Sequence, residues 1–304
     1  MALQGQGLSG SWALNHDDYP ALFQSADEAS AAAQLSYLWL VRVQYGLLIA
    51  ASTAALWFES SPRVLVAYAF IILASTALLI FLSVKKPEKD WYGCRALAES
   101  IKTSTWRYMM RAEPFKNVSQ IRKVKRTFAQ YLQEILDANS HVRDSISRRP
   151  KSGDQITSAM EKVRALTFDD RREFYRKERI DKQRAWYVSK VKLNRQNFIA
   201  WIVFCIIVQS SAIILAIVRA LDPQLWSIWP MEPLLVTASA TIGWVQTKKF
   251  NELASAYSLT AHEIGIIQTR IDGVQNDEEL SEFVNEAERA FSREHTQWVA
   301  RQNE

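Results

Sequence analysis

The chain has 304 residues, 48% of them hydrophobic, and its formal net charge is only +5. This small surplus argues against a nucleic-acid binder, which concentrates basic residues on one face. Two cysteines exclude a disulfide framework, and nine glycines form no phosphate-cradling loop. The apolar residues gather in four nearly uncharged stretches, with most of the 11 tryptophans in or near them. Since tryptophan prefers the membrane interface, the pattern predicts an integral membrane protein.

An apolar stretch of about 20 residues is long enough to cross the hydrocarbon core of a bilayer. The second and third stretches contain no charged residue, whereas the first contains Arg42, which can extend to the headgroups. The fourth is short, and we expect it as the returning arm of a hairpin, because only brief connections separate the first stretch from the second and the third from the fourth. The sequence therefore predicts two hairpins, with spans at 35–58, 64–84, 198–218 and 229–247.

Basic residues flank these spans on one side, which by the positive-inside rule is the cytoplasmic side. The short connections within the hairpins carry few such residues. The distribution predicts that both termini and the long middle region are cytoplasmic. The flanking residues are Lys85, Lys86 and Lys89 after the second span, Lys190, Lys192 and Arg195 before the third, and Lys248 and Lys249 after the fourth.

Helical periodicity dominates outside the spans, and no segment reads as a strand at domain scale. One charged helix should begin near Asp169 and continue into the third span. We therefore expect an all-α membrane protein, with four transmembrane helices as two hairpins and a cytoplasmic helical domain of long amphipathic helices. Its expected parts are a lead-in at 1–34, a first two-span unit at 35–141, a linker at 142–154 and a second two-span unit at 155–304.

One helical face after the second span carries aromatic and charged residues at spacings of three or four: Trp91, Arg95, Glu99, Lys102 and Trp106. This face could pass a cytoplasmic signal to the spans through contacts with a neighbouring helix or subunit. Alternatively, it is a solvated row of salt bridges, each worth a few tenths of a kcal/mol. The tryptophans favour packing. A weaker candidate for the same role is the pair His262 and Glu263.

Polar residues within the spans are candidates to line an aqueous path. The competing interpretation, favoured for any single residue, is that small polar residues allow membrane helices to pack closely. Gln209 is the leading candidate because a side-chain amide is costly in lipid unless it is paired or wetted. Four helices are too few to enclose a pore, so a channel would need an oligomer. The candidates are Ser52, Thr53, Ser75, Thr76, Gln209, Ser210, Ser211, Thr237 and Thr241.

The sequence offers little for catalysis. The four histidines are scattered over different predicted helices, and no hydrolase, metalloprotease or nucleotide-binding motif occurs. We expect a protein that is not an enzyme, with no catalytic residues, no metal ligands, no cofactor and no nucleic-acid partner.

The tract Trp91-Tyr92-Gly93-Cys94-Arg95-Ala96-Leu97-Ala98-Glu99-Ser100-Ile101-Lys102, continuing to Phe115, resembles the SLATT family. The members of this family are two-transmembrane-helix effector domains associated with bacterial nucleotide-sensing conflict systems. The segment Asp18-Tyr19-Pro20-Ala21-Leu22-Phe23 is similar to the family's lead-in, and Ser292–Trp298 is similar to the tail of a second such unit. The resemblance thus covers nearly the whole chain as two fused units.

The resemblance implies an effector of the bacterial inner membrane that forms pores or perturbs the membrane when a companion system senses phage or stress. The companion would be a nucleotide-sensing or nucleotide-generating protein. Our leading hypothesis is a homo-oligomeric ion channel or pore controlled through its cytoplasmic helices. The alternative is a non-conducting membrane scaffold or receptor module that recruits a cytoplasmic partner.

Overall fold

The computed structural model describes residues 13–116 and 119–300, without the side chains of residues 58–60 and 293–300. Within these residues every regular element is helical, so the all-α prediction is confirmed there. The first 12 residues of the expected lead-in lie outside the described residues, as do most side chains of the C-terminal segment Ser292–Trp298.

The helices are long at the predicted spans and shorter between them. Residues 168–221 form one uninterrupted helical run, which confirms the predicted charged helix that enters the third span. Within that run, a π-helical segment, Arg176–Asp181, separates two α-helices. The α-helices are α1 (Ala21–Ala54), α2 (Pro62–Lys85), α3 (Pro87–Met109), α4 (Ile121–Ala138), α5 (Arg143–Ser147), α6 (Ser158–Ala165), α7 (Phe168–Tyr175), α8 (Lys182–Leu221), α9 (Met231–Lys248), α10 (Phe250–Ile271) and α11 (Asp277–Ala300).

The chain forms two compact units, each assembled from segments far apart in the sequence. The first unit contains residues 1–30, 92–184 and 263–304, and the second contains residues 31–91 and 185–262. The predicted spans all fall in the second unit.

Three helical runs among the described residues are long and apolar enough to cross a membrane: 21–57, 62–109 and 168–221. At most 17% of the most apolar window of each run is buried within the chain. Most of their apolar side chains are therefore not buried within the chain, as expected for contact with lipid or with other copies of the protein. Helix α9, the fourth predicted span, does not reach the same length and hydropathy.

Helix α9 packs against both α1 and α8 inside the second unit. Trp244 of α9 is buried in a cluster with Leu38 and Val41 of α1. Farther along α9, Ala238 packs against Cys205 and Val208 of α8. The small residues allow close approach of the helices, as is usual between membrane helices.

Gly243 of α9 shows how close that approach is. A Cβ atom added at Gly243 would lie 2.5 Å from the hydroxyl oxygen of Tyr45 on α1. Any larger residue at position 243 would require the Tyr45 side chain to shift.

A left-handed lysine ends the second helix of each predicted hairpin. Lys86 follows α2 with φ 44° and ψ 58°, and Lys249 follows α9 with φ 49° and ψ 38°. The left-handed region costs a residue other than glycine about 1–2 kcal/mol. In each case the next helix starts at the following residue, so the pairs Lys85-Lys86 and Lys248-Lys249 form the same joint twice.

The core of the first unit is built around α3, whose Trp106, Tyr108 and Met109 are fully buried. The segment 142–154, which we expect to link the two-span units, lies against this core. Val142 is buried beside Gly93 of α3. A Cβ atom added at Gly93 would lie 2.4 Å from the Cγ1 atom of Val142.

The same segment is fixed to the start of α1 at its other end. The backbone N–H of Ala21 donates to the carbonyl of Asp154 at 3.1 Å, and Lys151 pairs with Glu28 at 2.5 Å. The segment is thus attached to the first unit at both ends, while residues 147–154 are exposed, and α5 forms its first part.

Candidate functional site

A fully buried ion pair lies at the centre of the first unit. Arg179, in the π-helical segment, donates from Nε to Oε1 of Glu288 at 2.8 Å and from Nη2 to Oε2 at 2.7 Å. Glu288 belongs to α11 and has no exposed side-chain surface, while that of Arg179 is 2% exposed. This two-point geometry is the strong form of an arginine–carboxylate contact.

Aromatic rings and a phenol complete the surroundings of this pair. The guanidinium carbon of Arg179 lies 4.9 Å from the ring centre of Phe291 and 6.0 Å from that of Trp106. The Tyr175 hydroxyl donates to Oε1 of Glu288 at 2.9 Å. The π-helical segment, one of the irregularities often found at functional sites, follows Tyr175 directly and contains Arg179.

A second row of charges on α3 belongs to the same network. Arg95 contacts Glu99 at 2.7 Å and Asp27 of α1 at 3.3 Å. Although Glu99 is charged, it is only 6% exposed. Burial alone would lower the pKa of Arg179. The negative charges of Glu288 and, to a smaller extent, Glu99 outweigh this effect, and the pKa is raised.

Lys102 connects the two rows electrostatically. Burial lowers the pKa of its ammonium group, and the positive charges of Arg179 and Arg95 lower it further, while Glu99 opposes the shift. The network therefore gathers side chains from α1, α3, the π-helical segment and α11 around one set of balanced charges.

The ion pairs of this network hold helices together. Its guanidinium, carboxylate and phenol groups are paired with one another through Arg179, Glu288, Tyr175, Arg95 and Glu99. Among the described residues, no group of three or more His, Cys, Asp or Glu residues could hold a metal ion. Removing one member of a buried ion pair is costly because the other charge stays uncompensated. The arrangement thus fixes the relative placement of its helices.

The Tyr175 hydroxyl makes the stability of the first unit sensitive to alkali. Burial and the nearby Glu288 carboxylate raise the pKa of Tyr175 well above 10, with Arg179 opposing. The pKa of Tyr175 is higher in the folded state than in the unfolded state. The stabilisation by its protonated hydroxyl is therefore complete below about pH 10, the pKa of an unfolded tyrosine. It is lost as the pH rises through the folded-state pKa, by at most about 1.4 kcal/mol per pH unit.

We therefore expect the free energy of unfolding to fall as the pH rises above about 10. In Tyr175→Phe, the fall caused by ionisation of this hydroxyl should be absent. The variant should also lose about 1.5–3 kcal/mol at neutral pH, since it lacks a hydrogen bond to a charged group. Unfolding of the full chain in detergent, followed from pH 8 to 11, measures both effects. Tyr131→Phe, at a half-buried position on α4, is the control; parallel pH profiles for wild type and Tyr175→Phe would contradict the expectation.

The structure brings most residues of the predicted coupling face together. Arg95, Glu99, Lys102 and Trp106 lie in or beside the charge network. Trp91 lies in the second unit, with its ring centre 6.3 Å from that of Tyr37.

The weaker coupling candidates lie apart from this network. The side chains of His262 and Glu263 are both exposed on α10. Glu263 borders an open groove of about 510 Å³ in the first unit, between α10 and α11.

Sequence reasoning missed the centre of the network, Arg179 and Glu288. A signal was present for Glu288, because it follows Val284 by four residues and so falls in the apolar row of α11. A carboxylate in such a row indicates a buried charge that needs a partner. Nothing comparable marked Arg179, which stands in a segment dense in charged residues.

Two family models match the chain in succession. The model described as "SMODS and SLOG-associating 2TM effector domain 3" matches residues 20–172, about half of the chain. The model described as "SMODS and SLOG-associating 2TM effector domain 1" matches residues 175–298. The chain belongs to the SLATT family. It consists of two fused SLATT domains, as the resemblance predicted, and no curated protein and no solved structure matches it.

Five of the nine candidate pore-lining residues in the predicted spans form a side-chain hydrogen bond within their own helix. The hydroxyl groups of these residues donate to a carbonyl three or four residues earlier, at 2.7–2.9 Å, as is common for Ser and Thr in helices. This arrangement is the one expected of residues that pack helices rather than line water. The residues are Ser52, Thr53, Ser211, Thr237 and Thr241.

Three candidates face outward instead: Thr76, Gln209 and Ser210 are exposed on their helices. Gln209 forms no hydrogen bond to another described residue. An exposed amide on a helix with apolar neighbours is unfavourable in lipid, so Gln209 requires water or a polar group from another molecule.

The remaining candidate, Ser75, connects the two helices of the first predicted hairpin. It is buried and accepts a hydrogen bond from Nε2 of Gln44 at 2.9 Å. Gln44 lies on α1 and was not among the predicted residues, although a glutamine within an apolar stretch is the same signal that marked Gln209. This pair serves packing between spans.

Proposed function

We propose that this SLATT protein is an oligomeric membrane effector that opens an ion-conducting pore and is controlled through its cytoplasmic helices. The observation that carries the proposal is the exposed polar position Gln209 in the middle of the apolar helix α8. Family membership supports an effector role in the membrane. The apolar helical runs are at most 17% buried within one chain, which supports contacts with lipid and with further copies.

The proposed topology has four spans in two hairpins in the bacterial inner membrane, with both termini and the helical body in the cytoplasm. Helix α9 is the proposed span whose length and hydropathy do not by themselves indicate a membrane crossing. Its 18 residues extend about 27 Å, close to the roughly 30 Å of the hydrocarbon core. Its packing against α1 and α8 supplies the partners that a weakly apolar span needs.

Oligomerisation follows from the chemistry of α8. Gln209 and Ser210 are exposed side by side, while Ile206, Ile207, Ile213 and Ile214 around them are also exposed. Ile206 and Ile213 lie one turn before and after Gln209 on the same face of the helix. In a ring of copies, Gln209 and Ser210 would therefore form a polar ring facing a water-filled axis, between turns lined by isoleucine.

Control through the cytoplasmic helices is supported by the charge network. Arg179 stands in the same helical run that becomes α8, so a displacement of the network would reach α8 through continuous helix. We propose that the activating partner is a nucleotide-sensing or nucleotide-generating companion protein in defence against phage or stress, and that the chain itself is not an enzyme.

The decisive experiment measures ion flux for wild type and Gln209→Leu. Wild-type protein in liposomes should release potassium, and its induced expression, with the companion genes present, should collapse the membrane potential. Gln209→Leu should lose most of the flux, because leucine removes the amide from the proposed water path. Since Gln209 is exposed, the folded monomer should retain its thermal stability.

Ser211→Ala is the matched control, because its hydroxyl bonds to the carbonyl of Ile207 at 2.9 Å and should leave flux unchanged. If wild-type protein stays monomeric and conducts no ions, the chain is a non-conducting scaffold or receptor module. If both variants conduct like wild type, α8 does not line the path.

A further inference from the structure

Two cations from two helices lie over one tryptophan in the second unit, and the charge of a third, from another helix, acts on one of them. The guanidinium carbon of Arg42 on α1 lies 4.9 Å from the ring centre of Trp244. The ammonium nitrogen of Lys248 lies 6.0 Å from the same ring centre and 5.8 Å from that of Phe250. The third cation is Lys190 of α8.

Lys190 is held in a similar way, with its ammonium nitrogen 5.4 Å from the ring centre of Trp186. Aromatic faces attract cations but leave their charges uncompensated. They also restrict where the long side chains can point. Arg42 and Lys248 share the Trp244 ring, and the charge of Lys190 acts on Lys248.

No carboxylate neutralises this cluster. Among the described residues, Arg42, Lys190 and Lys248 each form no ion pair, whereas many surface cations of the first unit do form one. Burial lowers the pKa of Lys248, and the positive charges of Arg42 and Lys190 lower it further. Like charges that converge without a counterion raise the energy of the protein, and an anion bound among them would relieve it.

We propose that Arg42, Lys190 and Lys248 bind the phosphate of an anionic phospholipid headgroup. Lys248 is the last residue of α9, and Arg42 lies within an apolar helix, so the cluster is at the level of a membrane surface. Basic pockets between helices on the cytoplasmic side are suited to such headgroups. The tryptophans suit the same interface.

The surface beyond the cluster favours a lipid over a soluble anion. Ile199 on α8 and Ile242 on α9 lie farther into the predicted spans and are 60% and 42% exposed. The proposed spans thus expose apolar surface on the membrane side of the cluster, where the acyl chains of a lipid would extend. The inference needs α9 to be embedded in the membrane as proposed above, but it does not need the protein to conduct ions.

The test uses the full-length protein in detergent, with phosphatidylglycerol or phosphatidylcholine added at equal concentration. Bound lipids are counted by native mass spectrometry, and the melting temperature is measured in parallel. Wild type should retain phosphatidylglycerol preferentially and be stabilised by it. Lys190→Gln and Lys248→Gln should each weaken this binding by about fivefold, the effect of one basic charge near an anionic surface.

Lys192→Gln is the matched control, because it removes the same charge from an exposed position two residues along α8. It should bind phosphatidylglycerol like wild type. An equal loss in Lys192→Gln would overturn the proposal in favour of diffuse surface attraction, and so would equal binding of both lipids by wild type.

Inorganic phosphate at millimolar concentration separates the two sources of the anion. If it displaces phosphatidylglycerol as effectively as added lipid does, the site is a free-phosphate site, and the lipid proposal is wrong. Flux measurements on the same variants keep this question apart from the proposed channel. A variant that conducts normally but retains no phosphatidylglycerol would support the lipid site alone.

Discussion

Replacing Glu288 by glutamine should lower the free energy of unfolding by about 3–5 kcal/mol, because Arg179 would remain charged in the interior without its counterion. Both side chains are almost completely removed from solvent. The neutral amide of glutamine keeps only one of the two acceptor oxygens, and it supplies no charge. Arg179→Gln should cost a similar amount, since it leaves the carboxylate of Glu288 uncompensated.

The double variant Arg179→Met/Glu288→Leu should recover most of this loss. Well-packed apolar residues of similar volume often replace a buried ion pair without cost. Denaturant or thermal unfolding in detergent, combined as a double-mutant cycle, measures the coupling. Additive losses in the double variant would show that the two residues do not act as a pair.

The exposed pair Arg270–Glu286 provides the control. It has the same 2.7 Å separation as the buried contact and also uses α11, but its two side chains are 55% and 58% exposed. An exposed pair contributes about 0–1 kcal/mol, so Glu286→Gln should barely change stability.

The same double variant tests the proposed control of the channel. If the network transmits a cytoplasmic signal, the double variant should fold and insert normally yet respond to the companion protein with reduced flux. A response equal to wild type would show that the network only stabilises the first unit.

Trp106→Ala should cost about 3–5 kcal/mol, the usual loss when a large buried aromatic side chain is removed. The Trp106 side chain is 1% exposed. Its ring centre lies 5.6 Å from that of Tyr175 and 6.2 Å from that of Phe174. Truncation would leave a cavity beside the buried ion pair, where surrounding groups have little freedom to close it.

Trp91→Ala is the comparison, because Trp91 occupies the opposite end of the same predicted helical face and is only half-buried. It should cost clearly less than Trp106→Ala in the same unfolding measurement. Equal losses would mean that both tryptophans are structural to the same degree. Either result bears on the expected coupling face, of which these two residues were the aromatic ends.

The helices and their apolar faces could be predicted from the sequence because both depend on local periodicity. The stripe of α4, for example, places Val124, Phe128 and Leu132 in the interior, as their spacing predicts. The resemblance in the tract that begins at Trp91 led to the correct family.

Pairings between distant segments could not be predicted in the same way. Arg179 and Glu288 are 109 residues apart, and no local pattern states which carboxylate will neutralise which arginine. The sequence pattern identifies Lys190 and Lys248 only as charges that flank a span. It identifies Arg42 only as a tolerated charge within the first span. Their convergence depends on how α1, α8 and α9 pack, which the sequence alone does not reveal.

The lysine joints give the helices of each hairpin different mechanical properties. Helix α8 is 40 residues long, about 60 Å, and its backbone hydrogen bonds make it resist twisting, so rotation at one end turns the face that carries Gln209. At Lys86 and Lys249 the helical path is broken at a single left-handed residue. Torque applied to α3 or α10 can be absorbed there by two backbone dihedrals. In the proposed topology, each SLATT domain would therefore combine one continuous helix that conveys rotation with one helix that can turn freely at its joint, and a rotary signal would enter the membrane through α1 and α8.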